Sequence, residues 1–398
     1  MTIKLTGHLD TSKVTEVKKD IDLQLSGIDT KEHIVIDCSE LDYISSSGLR
    51  ILLGIKKTHP NMEITEVSSD VYNVFEMTGF TRILDVRKAL RKIDLSTCEL
   101  IGEGGNGAVY RINAEEIVKV SKRPNADKAL VLESEQVKEA FLMGVPTVIS
   151  FDTIDCGNGH KGIVMEALDS QSLGAYISED PSRMDAIIPK YVELFKQSNA
   201  IEVDSPLFKS IKDWLRGHLT LPSRVINDEE AAVLASLLDE IPESNHFLHF
   251  DGHCGNVLMY GKQDERNVML IDFGDSGTGH PVLEIAGWAF IMLEPEHGKE
   301  NILSQKISGM TYDMRRSFCR KMLAEMFHVT EDAELDILMH QAELIGYLKS
   351  AFIAQRHAAN VPDEKFKEYM KRISHDAVAF APEIKVAIHS FIERLEKY

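Results

Sequence analysis

Basic residues are in short supply. Forty-four Lys and Arg against 63 Asp and Glu leave a formal net charge of -19 at pH 7. That argues against a nucleic-acid partner, whose binding depends on cationic neutralisation of phosphates. No run of about twenty uncharged apolar residues could span a bilayer, so no membrane segment is expected. The first residues lack a basic region followed by an apolar stretch and a small-residue cleavage site, which points to a cytosolic chain. Five cysteines in 398 residues are odd in number and never form C-x-x-C, which argues against a disulfide framework or a structural zinc site. No G-x-x-x-x-G-K-[ST] occurs either, so a Walker-type phosphate loop is not supported. What is present is an ordinary globular composition, 43% apolar and 27% charged, in a chain long enough for two or three domains.

The first ninety-odd residues alternate short apolar runs with helical patterns. His33 to Asp37 reads as a buried strand, and Ile51, Leu52 and Ile55 then fall on one helical face. Ser45, Ser46 and Ser47 supply a hydroxyl for that helix's N-cap. "MEITEV" and "SSDVYNVFEMTGF" repeat the strand-helix order, and the whole predicts a small α/β domain. Through "IDCSELDYISSSGLRILL" and "FEMTGFTRILDV" the stretch resembles the STAS family, the anti-sigma-factor antagonist domains. That resemblance covers residues 1–93 and implies a protein partner. It also implies phosphorylation of a serine in an Asp-Ser-Ser/Thr-Gly turn. The matching residue is Ser46, with Ser45 in place of the aspartate.

A second unit begins at "ELIGEGGNGAVYRINAEEIVKV". Gly102, Gly104, Gly105, Asn106 and Gly107 form a glycine-rich turn followed by a strand through Val109, then a second strand carrying Lys119. In protein-kinase-like enzymes such a hairpin covers the ATP phosphates, and the strand lysine reaches the α- and β-phosphates. A helix follows with Glu133, Glu135 and Glu139 as candidate partners for Lys119. Farther on, "HFDGHCGNVL" places His249, Asp251 and Asn256 together, and "LIDFGD" ends an apolar run at Asp272. Carboxylate, amide and carboxylate at these spacings are what transfer from Mg-ATP needs. Asp251 takes the proton of the acceptor hydroxyl, Asn256 and Asp272 offer hard oxygens to Mg²⁺, and His249 holds the loop.

Residues 96–398 resemble the aminoglycoside phosphotransferase and choline kinase superfamily, itself related to protein kinases. Phe250 stands where that group's H-G-D loop has glycine, and Glu284 stands where it has aspartate. The resemblance implies an α+β bilobal fold with a largely helical C-terminal lobe. Domains are expected at 1–93, 94–170 and 171–398. It selects Glu135 as the partner of Lys119, and it implies that Met165, Glu166 and Leu168 of "KGIVMEALDSQSL" meet the adenine of ATP. No A-P-E segment follows "DFG", which favours a small-molecule hydroxyl over a protein as acceptor. A serine protein kinase acting on Ser46 or on a partner is the second reading, and a nucleotide-binding regulator without turnover the third. Trp214, Trp288, Tyr347 and Arg356 are candidate substrate contacts, although aromatic residues at helical spacing are more often core.

Overall fold

The computed structural model describes residues 1–103, 107–121, 127–157, 160–222, 224–261, 266–293, 302–357 and 364–397. They form two units, Met1–Asp94 with Thr153–Gly159, and Leu95–Asp152 with His160–Tyr398.

In the first unit, apolar residues at alternate positions of β1 (Thr2–Leu9) bury Ile3, Leu5 and Leu9 on one face. Helix α1 (Val14–Leu25) leads to β2 (Ile34–Ile44), α2 (Ser46–Thr58), β3 (Met62–Val67), α3 (Ser69–Met77) and β4 (Asp85–Lys88). The strands pair in the order β1-β2-β3-β4, all parallel, as strand-helix alternation requires. Ile34, Ile36, Leu52, Ile64 and Phe75 fill the core. A two-residue strand, β5 (Arg91–Lys92), pairs in parallel with Ile154 and Asp155. That pairing explains why Thr153–Gly159 groups with this unit although the sequence assigns it to the next.

The second unit opens with β6 (Glu99–Glu103), β7 (Gly107–Arg111), β8 (Glu116–Ser121) and α4 (Asp127–Met143). After β9 (Ser150–Asp155) comes β10 (Lys161–Glu166), and an antiparallel sheet runs β10-β8-β7-β6. Gly107 packs so tightly that an added Cβ would lie 2.5 Å from the Val120 carbonyl oxygen. The chain continues through β11 (Ser170–Ser172), α5 (Leu173–Glu179), α6 (Met184–Asn199), α7 (Ile211–Leu219), α8 (Asp228–Asp239) and β12 (His246–Leu248). A hairpin of β13 (Val257–Tyr260) and β14 (Asn267–Leu270) follows, then β15 (Gly277–Gly279) and α9 (Val282–Met292). Helices α10 (Ile302–Ser308), α11 (Tyr312–Phe327), α12 (Asp332–His357), α13 (Glu364–Ala379) and α14 (Ala381–Leu395) complete it. The N-terminal unit is therefore α/β, and the second is an α+β fold with a largely helical C-terminal region. Among the described residues no helix is long and apolar enough to cross a membrane.

Candidate active site

Strand β8 alternates. Val118 and Val120 enter the core, and Lys119 leaves the opposite face between cross-strand neighbours Val109 and Ile163. Its ammonium lies 2.6 Å from Glu133 Oε1 and 3.2 Å from Asp272 Oδ1. Burial works to lower the pKa of Lys119, but the two carboxylates outweigh it and hold the amine above its usual range. The expected partner, Glu135, is exposed on α4. Two residues along a helix turn a side chain by about 200°, so Glu133 faces Lys119 and Glu135 faces away. Gly104, Gly105 and Asn106 lie outside the described residues, while Gly102 and Val109 pair across β6 and β7.

At the end of β10, Met165 and Leu168 pack against the core. The Glu166 N–H already donates to the Ile149 carbonyl, and its carboxylate accepts from the Ile149 N–H at 2.7 Å. The next N–H, of Ala167, is also taken and donates to the Glu115 carbonyl at 2.8 Å.

The loop between β12 and β13 is held from below by α9. Glu284 Oε2 accepts from the His249 N–H at 2.8 Å, and its Oε1 from the Phe250 N–H at 3.0 Å. Burial pushes the Glu284 carboxyl up to about 7 against the pull of these two N–H groups. Phe250 sits at φ +60°, a left-handed conformation that glycine adopts without penalty. Gly287 makes room for it, because a Cβ there would lie 2.6 Å from the Phe250 carbonyl oxygen. Buried His249 puts Nε2 3.0 Å from the Ile271 carbonyl oxygen, and burial lowers its pKa to about 4, so the neutral ring donates there.

Asp251 is fixed from three sides. Asn256 Nδ2 donates to its Oδ2 at 3.0 Å and to its carbonyl at 3.1 Å, and His253 Nε2 stands 3.6 Å from Oδ2. Lys349 of α12 donates to its Oδ1 at 2.8 Å. Burial works to raise the Asp251 pKa, but Lys349 and the two histidines overcome it and leave the group at about 2. The Ile271 N–H bonds the Asn256 carbonyl at 3.0 Å, so Asn256 and Asp272 emerge side by side from the β13–β14 hairpin. Asp272 also has a positive φ, +66°.

The donor set suits magnesium. Asn256 turns its NH₂ to Asp251 and keeps its oxygen, and Lys119 engages only Oδ1 of Asp272 among the described residues. No cluster of three or more His, Cys, Asp or Glu there could hold a metal by itself. Magnesium takes one or two protein oxygens plus water and substrate phosphates, which matches two ligands and no cage.

Glu133 was one of three candidates on its helix and was passed over for Glu135, whereas Asp275 and Lys349 went unnamed. Lys349 had a signal, since it occupies the apolar stripe of Ala342, Ile345 and Phe352 on α12 at seven-residue spacing. Of the candidate substrate contacts, Trp288 and Tyr347 are buried, and Trp214 meets Phe250 edge-on at 6.0 Å. Arg356 is exposed near the end of α12. In the first unit, Ser45 is the N-cap of α2. It accepts from the Gly48 N–H and donates to the Leu9 carbonyl, while Ser46 is exposed on the first turn.

Residues 97–300 match the family model described as "Phosphotransferase enzyme family", and residues 1–93 match the one described as "STAS domain". An anti-sigma F factor antagonist of Paenibacillus polymyxa is 29% identical over 90 residues, covering 21% of this chain and 74% of that protein. Among solved structures, the streptomycin-ATP-APH(2")-IIa ternary complex is 15% identical with a TM-score of 0.47, covering 78% of this chain and 97% of that one. A choline/ethanolamine kinase family protein from Mesorhizobium loti is 15% identical with a TM-score of 0.44, covering 73% and 92%.

Proposed function

Because this chain belongs to the phosphotransferase enzyme family and carries a STAS domain at residues 1–93, we propose that it moves the γ-phosphoryl group of ATP to a hydroxyl of a small molecule. The observation that carries this reading is the convergence of Lys119, Glu133 and Asp272, from a strand, a helix and a distant hairpin, into one ion triad.

In this reading Lys119 leaves Asp272 for the α- and β-phosphates while Glu133 keeps it oriented. Asn256 and Asp272 would hold magnesium, which supplies charge neutralisation along the phosphates when bound. Asp251 accepts a hydrogen bond from the acceptor hydroxyl. The hydroxyl oxygen bonds to the γ-phosphorus, the bond to the β,γ-bridging oxygen breaks, ADP leaves, and the hydroxyl proton passes to Asp251. A carboxylate held near 2 is a weak base, which suffices where the transition state is loose and the proton moves late. Backbone groups of Glu166 and Leu168 would receive the adenine, with Met165 at the apolar back of the pocket. The STAS domain offers a surface for a protein partner, with Ser46 as its modification site.

The test is incubation of the full chain with Mg-ATP and a panel of hydroxyl compounds, aminoglycosides and choline included, with ³¹P NMR following the γ-phosphoryl group. A new phosphate ester that vanishes in Asp251→Asn supports the reading. The exposure of Ser46 at a helix start favours a second reading, phosphorylation of that serine. Added phosphate on the Ser45–Ser47 peptide, found by mass spectrometry without any small-molecule ester, would select it.

A further inference from the structure

A lysine at the centre of a helical core needs a reason, since burying an ammonium is costly unless it is paired and hydrogen-bonded. Lys349 is 1% exposed, and all three of its protons have acceptors. They are the Phe250 carbonyl at 2.5 Å, Asp251 Oδ1 at 2.8 Å and Asp275 Oδ2 at 3.3 Å. The ammonium also lies 4.7 Å from the centre of the Phe250 ring and 5.8 Å from that of Phe290, where the π faces favour a cation. The two carboxylates remain partly open, with Asp251 25% and Asp275 31% exposed. The charge therefore stands behind the oxygens that a ligand can reach, and is itself out of a ligand's reach.

We propose that Lys349 is a positioning residue for phosphoryl transfer: its ammonium, clamped between Asp251, Asp275 and the Phe250 carbonyl, ties α12 to the catalytic loop and fixes the one direction in which the Asp251 carboxylate stays open to a ligand. This rests on the role given above to Asp251. The geometry explains two departures at once. Phe250, where the resembling family has glycine, supplies the ring on which the ammonium rests and the carbonyl that receives one proton. Glu284, where that family has aspartate, holds the backbone of the same residue from the other side. Asp251 then has Lys349 on one oxygen, Asn256 and His253 on the other, and one open direction for a hydroxyl. The other charged or titratable groups of this neighbourhood are His249, Asp272, Asp275 and Glu284.

The test is a crystal structure of full-length Lys349→Met, with the kinetics of the folded variants beside it. In Lys349→Met the Asp251 carboxylate should leave the place it holds between Lys349 and Asn256, and kcat for ADP formation with an acceptor should fall about 10²-fold, the scale of a misplaced reacting group, while KM for ATP is unchanged. Lys349→Arg should restore both the placement and most of kcat. Asp275→Asn, at a partly exposed position, removes one arm of the clamp and should lower kcat by a smaller factor, which keeps the proposal testable if the Met variant does not fold. An unmoved Asp251 with wild-type kcat in the folded Met variant, or wild-type kcat in Asp275→Asn, overturns the proposal. A displaced Asp251 in a protein whose wild type phosphorylates nothing would uphold the clamp and refute the transfer reading.

Discussion

The two units treat charge in opposite ways. Among the described residues of the first unit the core is almost wholly apolar, and His59 is the one buried residue with a titratable ring. The second unit buries Lys349, Glu284, His249, His253, Lys212 and Arg315. Burying ionisable groups rarely gains stability over apolar packing, and leaving one unpaired is strongly destabilising. Such clusters are found where a reaction needs perturbed groups. The contrast accords with the second unit being the one that matches the phosphotransferase family, while in the first unit Ser46 lies at the surface.

The sharpest break in that contrast comes from Asp251→Ala. With Asp251 in the role proposed for it, this substitution should lower ADP formation with an acceptor by about 10²- to 10⁴-fold. Next in size is Leu52→Ala, at a fully buried position of the apolar core. It should destabilise the first unit by about 2–5 kcal/mol, read by amide hydrogen exchange within residues 1–93.

A third experiment uses pH. Both tryptophans, Trp214 and Trp288, belong to the second unit, so tryptophan fluorescence follows its unfolding alone. Glu284 is raised from 4.5 to about 7, so the folded state holds its proton longer, and that stability is present below 4.5 and lost as pH rises toward 7. His249 is lowered from 6.5 to about 4, so its contribution is present above 6.5 and lost as pH falls toward 4. The two slopes oppose each other between about 4.5 and 6.5. Glu284→Gln removes the falling contribution, so stability should rise more steeply with pH across that window in the variant than in wild type. A variant with the wild-type slope would contradict the assignment. The smallest effect separates neighbours on α2. Ser45→Ala removes the cap and should cost about 1 kcal/mol, whereas Ser46→Ala should stay within roughly 0.5 kcal/mol in thermal unfolding.

Much of the fold was legible because its signals are local. Strand-helix alternation before residue 90 and the apolar periodicity of the later helices need only neighbours to be read. Lys119, Asp251, Asn256 and Asp272 could be picked out because short polar turns at fixed spacing mark them. What escaped depends on helix rotation and long-range packing. Glu133 and Glu135 differ only in which way α4 turns, and nothing local sets that. Lys349 lies 98 residues from Asp251, and only the docking of α12 on the catalytic loop unites them. Its clue, a lysine within an apolar stripe, tells that something is paired there and not with what.

The central claim is that Lys119, Asn256 and Asp272 surround one magnesium-bound triphosphate. A crystal structure of the full chain with magnesium and a non-hydrolysable ATP analogue tests it most directly. The account predicts magnesium about 2.1 Å from an Asn256 oxygen and an Asp272 oxygen, with Lys119 moved from Asp272 onto the phosphates. A nucleotide bound elsewhere, with the Lys119–Asp272 pair still closed and no metal at the hairpin, would contradict it.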